Sequence, residues 1–302
     1  MSRLGKSARW FIHRSWLSQA ATENAAVREL AYNYVAGTKV HDAAAVGERL
    51  AGQGLSLGYN YLARDERELA TGDKLAHLLE VLGDHATGVD LSVQPSSLGL
   101  RNSAGEARER LARLCRTAAG HGATVTLEMQ QVPEHPATIK LFRDVVRDHP
   151  DLGITLTVNV RRAERDVRDL AVEGRRIRLC VGSYPTTKDE AWTAEHDKSL
   201  ALVRCVRIAM ESGAYPMVAS HDPRIIEITQ DLARRNGRTP QTWEFQMFHG
   251  VRPLEQRRLV DIGLTCRTYI PFGPAWYEYL ATRVAARPRM FVSYTRALLD
   301  KR

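Results

Sequence analysis

The chain has 302 residues, of which 44% are hydrophobic and 26% are charged, and its formal net charge is +8 at pH 7. This balance is typical of a folded globular protein and excludes disordered, collagen-like and disulfide-scaffold chains. The four cysteines lie far apart and form no C-x-x-C pair, which favours reduced, buried thiols over a zinc or redox motif. No stretch approaches 18 apolar residues, so we expect a cytoplasmic protein with no membrane span.

The positive charge is distributed along the whole chain among acidic residues, and no Lys/Arg-rich block is interleaved with aromatic residues. We therefore expect no nucleic-acid binding. A basic surface of this kind suits an acidic partner, such as a carrier protein, or at most a peripheral contact with an anionic membrane.

Eight short runs, each of 7 or 8 residues and rich in apolar side chains, predict β-strands. Most of them have apolar residues at successive positions, which is typical of strands buried on both faces. The runs are 55–62, 89–95, 124–130, 153–159, 176–183, 215–221, 242–248 and 265–272.

Amphipathic patterns between these runs predict helices, several of which have a proline in the first turn or a glycine after the last. They cover 104–119, 136–148, 189–212, 223–236, 253–262 and 274–286, and a further helical segment over Lys6–Tyr34 precedes the first strand. Alternating strands and helices predict an α/β fold, a (β/α)₈ TIM barrel over 51–302, after a helical lead-in over 1–50. The alternative is a doubly wound open sheet, but no G-x-G-x-x-G follows any strand.

In such a barrel the active site lies at the carboxyl ends of the strands. Polar groups follow the predicted strands there, although any one of them could instead be a structural filler of the barrel interior. They are Gln94, Glu128, Asn159, Ser183, Tyr184, His221, Asp222, Gln246, His249 and Tyr269.

Motifs at these strand ends resemble those of the flavin-dependent proline dehydrogenases, which are distorted (β/α)₈ barrels. The motifs occur in the family's order, from Tyr34–Gly37 (YVAG) to the last helix at Trp276–Pro288. Those between are VQPSSLGL (93–100), TLEMQ (126–130), RLCVGSY (178–184), ASHD (219–222), EFQMFHG (244–250) and RTYIPFG (267–273). The resemblance implies FAD as the cofactor and a small amino-acid-like substrate.

The resemblance also implies roles for individual residues on the flavin side. Arg178 matches the arginine that approaches the reactive flavin nitrogen, and with Glu128 it forms the predicted catalytic pair. Val181 stands where the family has Lys, and Thr157 where it has Gln. The cofactor-binding residues implied in this way are Thr157, Arg178, Val181, Gly182, Ser220, His221, Asp222 and Gln246; no metal site is predicted.

The substrate side departs from the family. The positions of the family's lysine and aspartate hold Gln94 and Glu128, and its Arg-Arg pair has become Thr282 and Arg283. Tyr184, Tyr269 and Tyr279 match tyrosines that line the substrate pocket. Two of three cations facing the substrate carboxylate are missing, and charged hydrogen bonds contribute about 1.5–3 kcal/mol each. Plain proline is therefore expected to bind weakly.

Our first hypothesis is an FAD-dependent dehydrogenase that oxidises a C–N or N–N bond of a proline-like or modified amino acid in a specialised biosynthetic pathway. Its substrate would be free or bound to an acidic carrier protein. The first alternative is conventional proline dehydrogenase activity in proline catabolism, and the second is a non-catalytic barrel. The electron acceptor, a quinone or oxygen, stays open.

Overall fold

A computed structural model describes residues 24–65 and 69–286. All eight predicted strands form, and they pair in parallel in chain order, with β8 closing onto β1. The strands are β1 Ser56–Tyr61, β2 Asp90–Val93, β3 Thr124–Leu127, β4 Gly153–Thr157, β5 Arg176–Cys180, β6 Tyr215–Ala219, β7 Glu244–Phe248 and β8 Cys266–Phe272. The predicted (β/α)₈ barrel is confirmed.

Helices precede the barrel and connect its strands. They are α1 Ala25–Ala31, α2 Val40–Ala51, α3 Thr71–Leu82, α4 Ala104–Gly120, α5 His135–Val145, α6 Ala163–Leu170, α7 Glu195–Glu211, α8 Pro223–Arg235, α9 Pro253–Asp261 and α10 Trp276–Ala286. Helix α1 lies within the predicted segment Lys6–Tyr34, whose first residues are outside the described part. The sequence patterns did not single out α2, α3 and α6, and α7 begins six residues later than predicted because a loop follows β5.

The barrel has an apolar outer layer and a charged interior, which corrects the expectation that its strands are apolar on both faces. Along β5, Ile177 and Leu179 are fully buried against the helices. The alternate residues Arg176 and Arg178 point inward, where both reach Asp90 of β2. Period-2 alternation therefore separates an apolar face from a charged one on β5.

The amino-terminal half of the interior is closed by a buried ion pair. Arg267 donates to both carboxylate oxygens of Glu244, at 2.8 and 2.9 Å, and also to the carbonyls of Leu57 and Gly88. A Cβ on Gly58 would lie 3.2 Å from Cδ of Arg267, so the glycine leaves room for this side chain. The candidate site lies above this pair, toward the carboxyl ends of the strands.

Within the described residues, no helix is long and apolar enough to cross a membrane.

Candidate active site

Arg178 is the centre of the polar group at the carboxyl ends of the strands. Its Nη1 donates to Ser92 Oγ at 2.9 Å and to Glu128 Oε1 at 3.1 Å, Nη2 donates to Asp90 Oδ2 at 2.9 Å, and Nε donates to Gln246. Burial acts to lower the pKa of Arg178, but the Asp90 and Glu128 carboxylates outweigh it and raise the pKa. Arg178 is thus a fixed cation in a defined orientation.

Glu128 is the carboxylate of this group that reaches solvent. Its side chain is 17% exposed, whereas those of Asp90 and Glu244 are fully buried. Its Oε1 accepts from Arg178 and from the hydroxyl of Tyr269, the latter at 3.0 Å. A cationic group that enters the mouth of the barrel therefore meets Glu128 before the other interior acids.

Tyr269 links β8 to this carboxylate. Asn60 donates through Nδ2 to the phenol oxygen, so the phenol proton points at Glu128. Burial, followed by the Glu128 charge, raises the pKa of Tyr269 well above its ordinary value, which keeps it a donor. Asn60 was not predicted, although its signal was present: it stands two residues after the inward-facing Gly58.

Helix α10 brings Arg283 over the mouth. The guanidinium lies 4.6 Å from the ring centre of Phe248 and 5.1 Å from that of Tyr279, one turn earlier in the helix. Phe248 in turn stacks on His221 at 5.2 Å. No carboxylate of the described residues lies within ion-pair distance of Arg283, so its charge is available to an anionic group.

Two predicted substrate residues, Thr282 and Gln94, have no described contact with this group. Thr282 is exposed and donates to the carbonyl of Glu278 within its own helix, at 2.8 Å. Gln94 is half-buried just after β2, and its carbonyl accepts from Ser97. Tyr184 is half-buried on the segment after β5. Their roles stay predictions.

Some predicted flavin-binding residues already have hydrogen-bond partners within the protein, and others do not. Gln246 donates to Glu244 at 2.6 Å while it accepts from Arg178, and Asp222 accepts from the N–H of Arg224 at 2.9 Å as the N-cap of α8. These hydrogen bonds occupy both side chains, and their cofactor-binding role stays a prediction. The hydroxyl of Thr157, by contrast, is buried with no partner among the described residues.

The other predicted cofactor residues directly follow β5 or β6. Val181 and Gly182 are half-buried, and a Cβ on Gly182 would lie 3.1 Å from Thr157. Ser220 accepts from the N–H of Asp222 at 3.2 Å. His221 accepts at Nε2 from the N–H of Phe248 at 2.9 Å, which puts its proton on Nδ1.

This arrangement fits a flavin. A buried hydroxyl without a partner costs free energy unless a ligand bonds to it, and Gly182 has no Cβ that would collide with Thr157 and Asn159. Within the described residues, no cluster of three or more His, Cys, Asp or Glu could hold a metal ion.

The comparisons with known proteins identify the family of the chain. The family model "Proline dehydrogenase" matches residues 44–284. Proline dehydrogenase 1 of Bacillus subtilis (strain 168) is 27% identical over 275 residues, which cover 90% of this chain and 91% of the relative. Proline dehydrogenase of Deinococcus radiodurans is 28% identical over 271 residues, which cover 86% of this chain and 87% of the relative.

Among solved structures, proline utilization A (PutA) from Bdellovibrio bacteriovorus, inactivated by N-propargylglycine, superposes with a TM-score of 0.77 at 18% identity. The match covers 89% of this chain and 33% of that protein, so the chain spans about a third of its length. The chain belongs to the proline dehydrogenase family, whose members are flavin-dependent oxidoreductases that act on a CH–NH donor.

Proposed function

We propose that this protein is an FAD-dependent dehydrogenase that oxidises the C–N bond of proline. The observation that carries the proposal is the partly exposed carboxylate of Glu128, held between Arg178 and Tyr269 at the mouth of the barrel. The curated relatives that match most of the chain are named proline dehydrogenases, which supports proline as the first substrate to test.

Glu128 supplies the contact for the substrate's amine. Arg178 and Tyr269 both donate to its Oε1, so the carboxylate cannot turn away from the mouth. An ionised carboxylate is an acceptor only, and a cationic secondary amine is a matching donor. Glu128 can therefore orient the amine and take its proton, after which the nitrogen lone pair assists loss of hydride from the adjacent carbon.

Arg283 supplies the contact for the substrate's carboxylate. Its guanidinium lies against the faces of Phe248 and Tyr279, which fixes the direction in which it can donate. Arg283 and Glu128 together offer opposite charges to the two ends of an amino-acid zwitterion.

FAD, when bound, accepts the hydride. The residues that would hold it are Thr157, Val181, Gly182, Ser220 and His221, around the ends of β4, β5 and β6. The buried hydroxyl of Thr157, which has no partner among the described residues, supports a cofactor there rather than a non-catalytic barrel.

The first test is the visible spectrum of the purified protein in the absence of oxygen, before and after addition of proline. We expect the absorption band of oxidised flavin to bleach on addition of proline and to return with a quinone or with oxygen. A flavin band that proline leaves unchanged would refute proline as the substrate. A colourless protein that does not take up added FAD would refute the dehydrogenase altogether.

A second candidate substrate is a proline derivative whose carboxyl group is neutral. The neutral Gln94 and the outward-facing Thr282 favour it, because Arg283 is then the one cation left of the family's three. An amide, an ester or a carrier-bound thioester needs no cation at these two positions, and an N–N bond in a modified amino acid belongs to the same candidate. Bleaching by prolinamide or proline methyl ester, but not by proline, would favour it over the first.

A further inference from the structure

The loop after β5, residues 181–194, carries the predicted site residues Gly182 and Tyr184 and leads into α7. Connections of this length without regular structure are commonly mobile, and a loop beside an active site is commonly a lid. Here the loop is fastened to residues 158–162, the connection between β4 and α6, by contacts along most of its length.

Asn159 holds both ends of this loop. Its side-chain Oδ1 accepts from the N–H of Gly182 at 2.7 Å, and its backbone carbonyl accepts from the N–H of Trp192 at 2.8 Å. The next residue, Val160, forms an antiparallel bridge with Ala191. Asn159 is 3% exposed, so its two bonds are shielded from water.

Arg161 fastens the middle of the loop from outside. Its Nε and Nη2 donate to the carbonyl of Lys188 at 3.1 and 2.9 Å, and its backbone N–H donates to the carbonyl of Glu190 at 2.9 Å. The guanidinium also lies 4.2 Å from the ring centre of Trp192. The side chains of Arg161 and Lys188 are exposed, so this part of the loop can be reached by a protease.

The hydrogen bond between Asn159 and Gly182 determines which nearby polar atom can bond to a cofactor. The N–H of Gly182 is occupied by Asn159, whereas the hydroxyl of Thr157 beside it is buried without a partner among the described residues. A Cβ on Gly182 would lie 3.0 Å from Oδ1 of Asn159, so the three residues are in close contact. Thr157 is 8% exposed and points into the barrel mouth beside Cys180, its partner in register.

We propose that Asn159 is a positioning residue that fixes the loop after β5 in its cofactor-binding form, so that the hydroxyl of Thr157 rather than the N–H of Gly182 bonds to the flavin. The part of this inference that concerns the flavin rests on the proposed function. The part that concerns the loop does not, since the contacts of Asn159 are made within the protein.

Two variants of Asn159 distinguish the effect of its side-chain acceptor from the effect of its volume. Asn159→Leu has a similar volume and removes the acceptor, whereas Asn159→Asp keeps an acceptor for the N–H of Gly182. Loop mobility is measured as the rate at which a lysine-specific protease cuts after Lys188. FAD affinity is measured by titrating the apoprotein and following flavin fluorescence, with circular dichroism to confirm folding.

We expect Asn159→Leu to speed the cut after Lys188 and to weaken FAD binding, each by about tenfold, the effect of one lost hydrogen bond. Asn159→Asp adds a buried charge but keeps the acceptor, so it should lose less than Asn159→Leu in both measurements. If Asn159→Leu does not fold, the exposed Arg161→Met replaces it and should speed the same cut. Two outcomes would overturn the proposed role of Asn159. One is an unchanged rate of cutting after Lys188 in these variants, and the other is an equal loss of FAD affinity in Asn159→Leu and Asn159→Asp.

Thr157→Val tests the second half of the proposal. It removes the hydroxyl with little change in shape, so FAD binding should weaken by about tenfold while the cut after Lys188 keeps its rate. The apoprotein should not lose thermal stability, because the hydroxyl has no partner to lose. FAD affinity unchanged in Thr157→Val would refute the hydroxyl contact. Failure of the wild type itself to bind FAD would refute the proposed function, while the protease rates would still decide the role of Asn159.

Discussion

The buried carboxylate of Glu244 should be one of the largest single contributions to the stability of the barrel. It accepts from Arg267 at 2.8 and 2.9 Å, from Gln246 at 2.6 Å and from the hydroxyl of Tyr215 at 3.1 Å, and it is fully buried. Glu244→Gln leaves the cation of Arg267 buried without an anion at the same place. Removing one partner of a buried pair destabilises by about 3–5 kcal/mol.

A matched control exists on the surface. Glu106 pairs with Arg110 at 2.7 Å, but its side chain is 60% exposed. Exposed pairs contribute about 0–1 kcal/mol, so Glu106→Gln should change the free energy of unfolding by about 0.5 kcal/mol or less. The two substitutions are chemically identical and the two pairs have similar distances, so the pairs differ in burial and in the number of hydrogen bonds that the carboxylate accepts.

The assay is urea unfolding followed by circular dichroism, repeated at several pH values. Burial acts to raise the pKa of Glu244, but the Arg267 and Arg176 guanidiniums outweigh it and the pKa is lowered from its ordinary value of 4.5. The contribution of Glu244 is therefore complete above about pH 4.5 and is lost as the pH falls below that value. The loss in free energy of unfolding caused by Glu244→Gln should be constant from pH 6 to 8 and become smaller in acid. Equal deficits for Glu244→Gln and Glu106→Gln at pH 7 would refute the reasoning.

Three further predictions concern the mouth of the barrel. Glu128→Gln should lower kcat/KM for proline by at least about 100-fold, since it removes the anion that meets the amine, while thermal unfolding shows that the fold persists. Arg283→Met should raise KM for proline by about tenfold or more and leave KM for prolinamide nearly unchanged. Equal effects on both substrates would show that Arg283 does not contact the substrate carboxylate. The double substitution Gln94→Lys and Thr282→Arg should lower KM for proline by about tenfold or more and weaken any activity on neutral derivatives, and no change in either would remove these positions from the substrate site.

The barrel was predictable because its outer layer obeys the ordinary pattern of buried parallel strands, with a helical pattern after most of them. The charged interior was not, because its partners are far apart in sequence: Arg178 and Asp90 are 88 residues apart, and Tyr269 and Asn60 are 209 apart. A signal was nevertheless present, since β5 and β7 place charged or amide side chains at alternate positions. Such alternation within an apolar run indicates an ionic barrel interior.

The site residues that could be predicted are those whose inward-facing position on a strand, or just after it, fixes their direction. Glu128, Arg178 and Tyr269 meet because parallel strands of a closed barrel end at one rim. Thr282 could not be placed in this way, because one position along a helix turns a side chain by about 100°. Arg283 points over the mouth, whereas Thr282, its neighbour, bonds to its own helix.

The charges of the barrel interior favour an amino acid with a free carboxylate as the substrate, although Gln94 and Thr282 stand at positions where the resemblance implies cations. Three carboxylates, Asp90, Glu128 and Glu244, lie among three arginines, 176, 178 and 267, and each of these arginines is within 4 Å of a carboxylate. Arg283 stands outside this balance, against aromatic rings rather than acids. A zwitterion with its amine at Glu128 and its carboxylate at Arg283 adds no net charge to the mouth, and each of its charges meets a group of the opposite sign. A substrate with a neutral carboxyl end would leave Arg283 without an anion in a partly desolvated place, which costs free energy. On these grounds we propose that Arg283 alone holds the carboxylate of proline, where the resemblance implies three cations, and the loss should raise KM more than it lowers kcat.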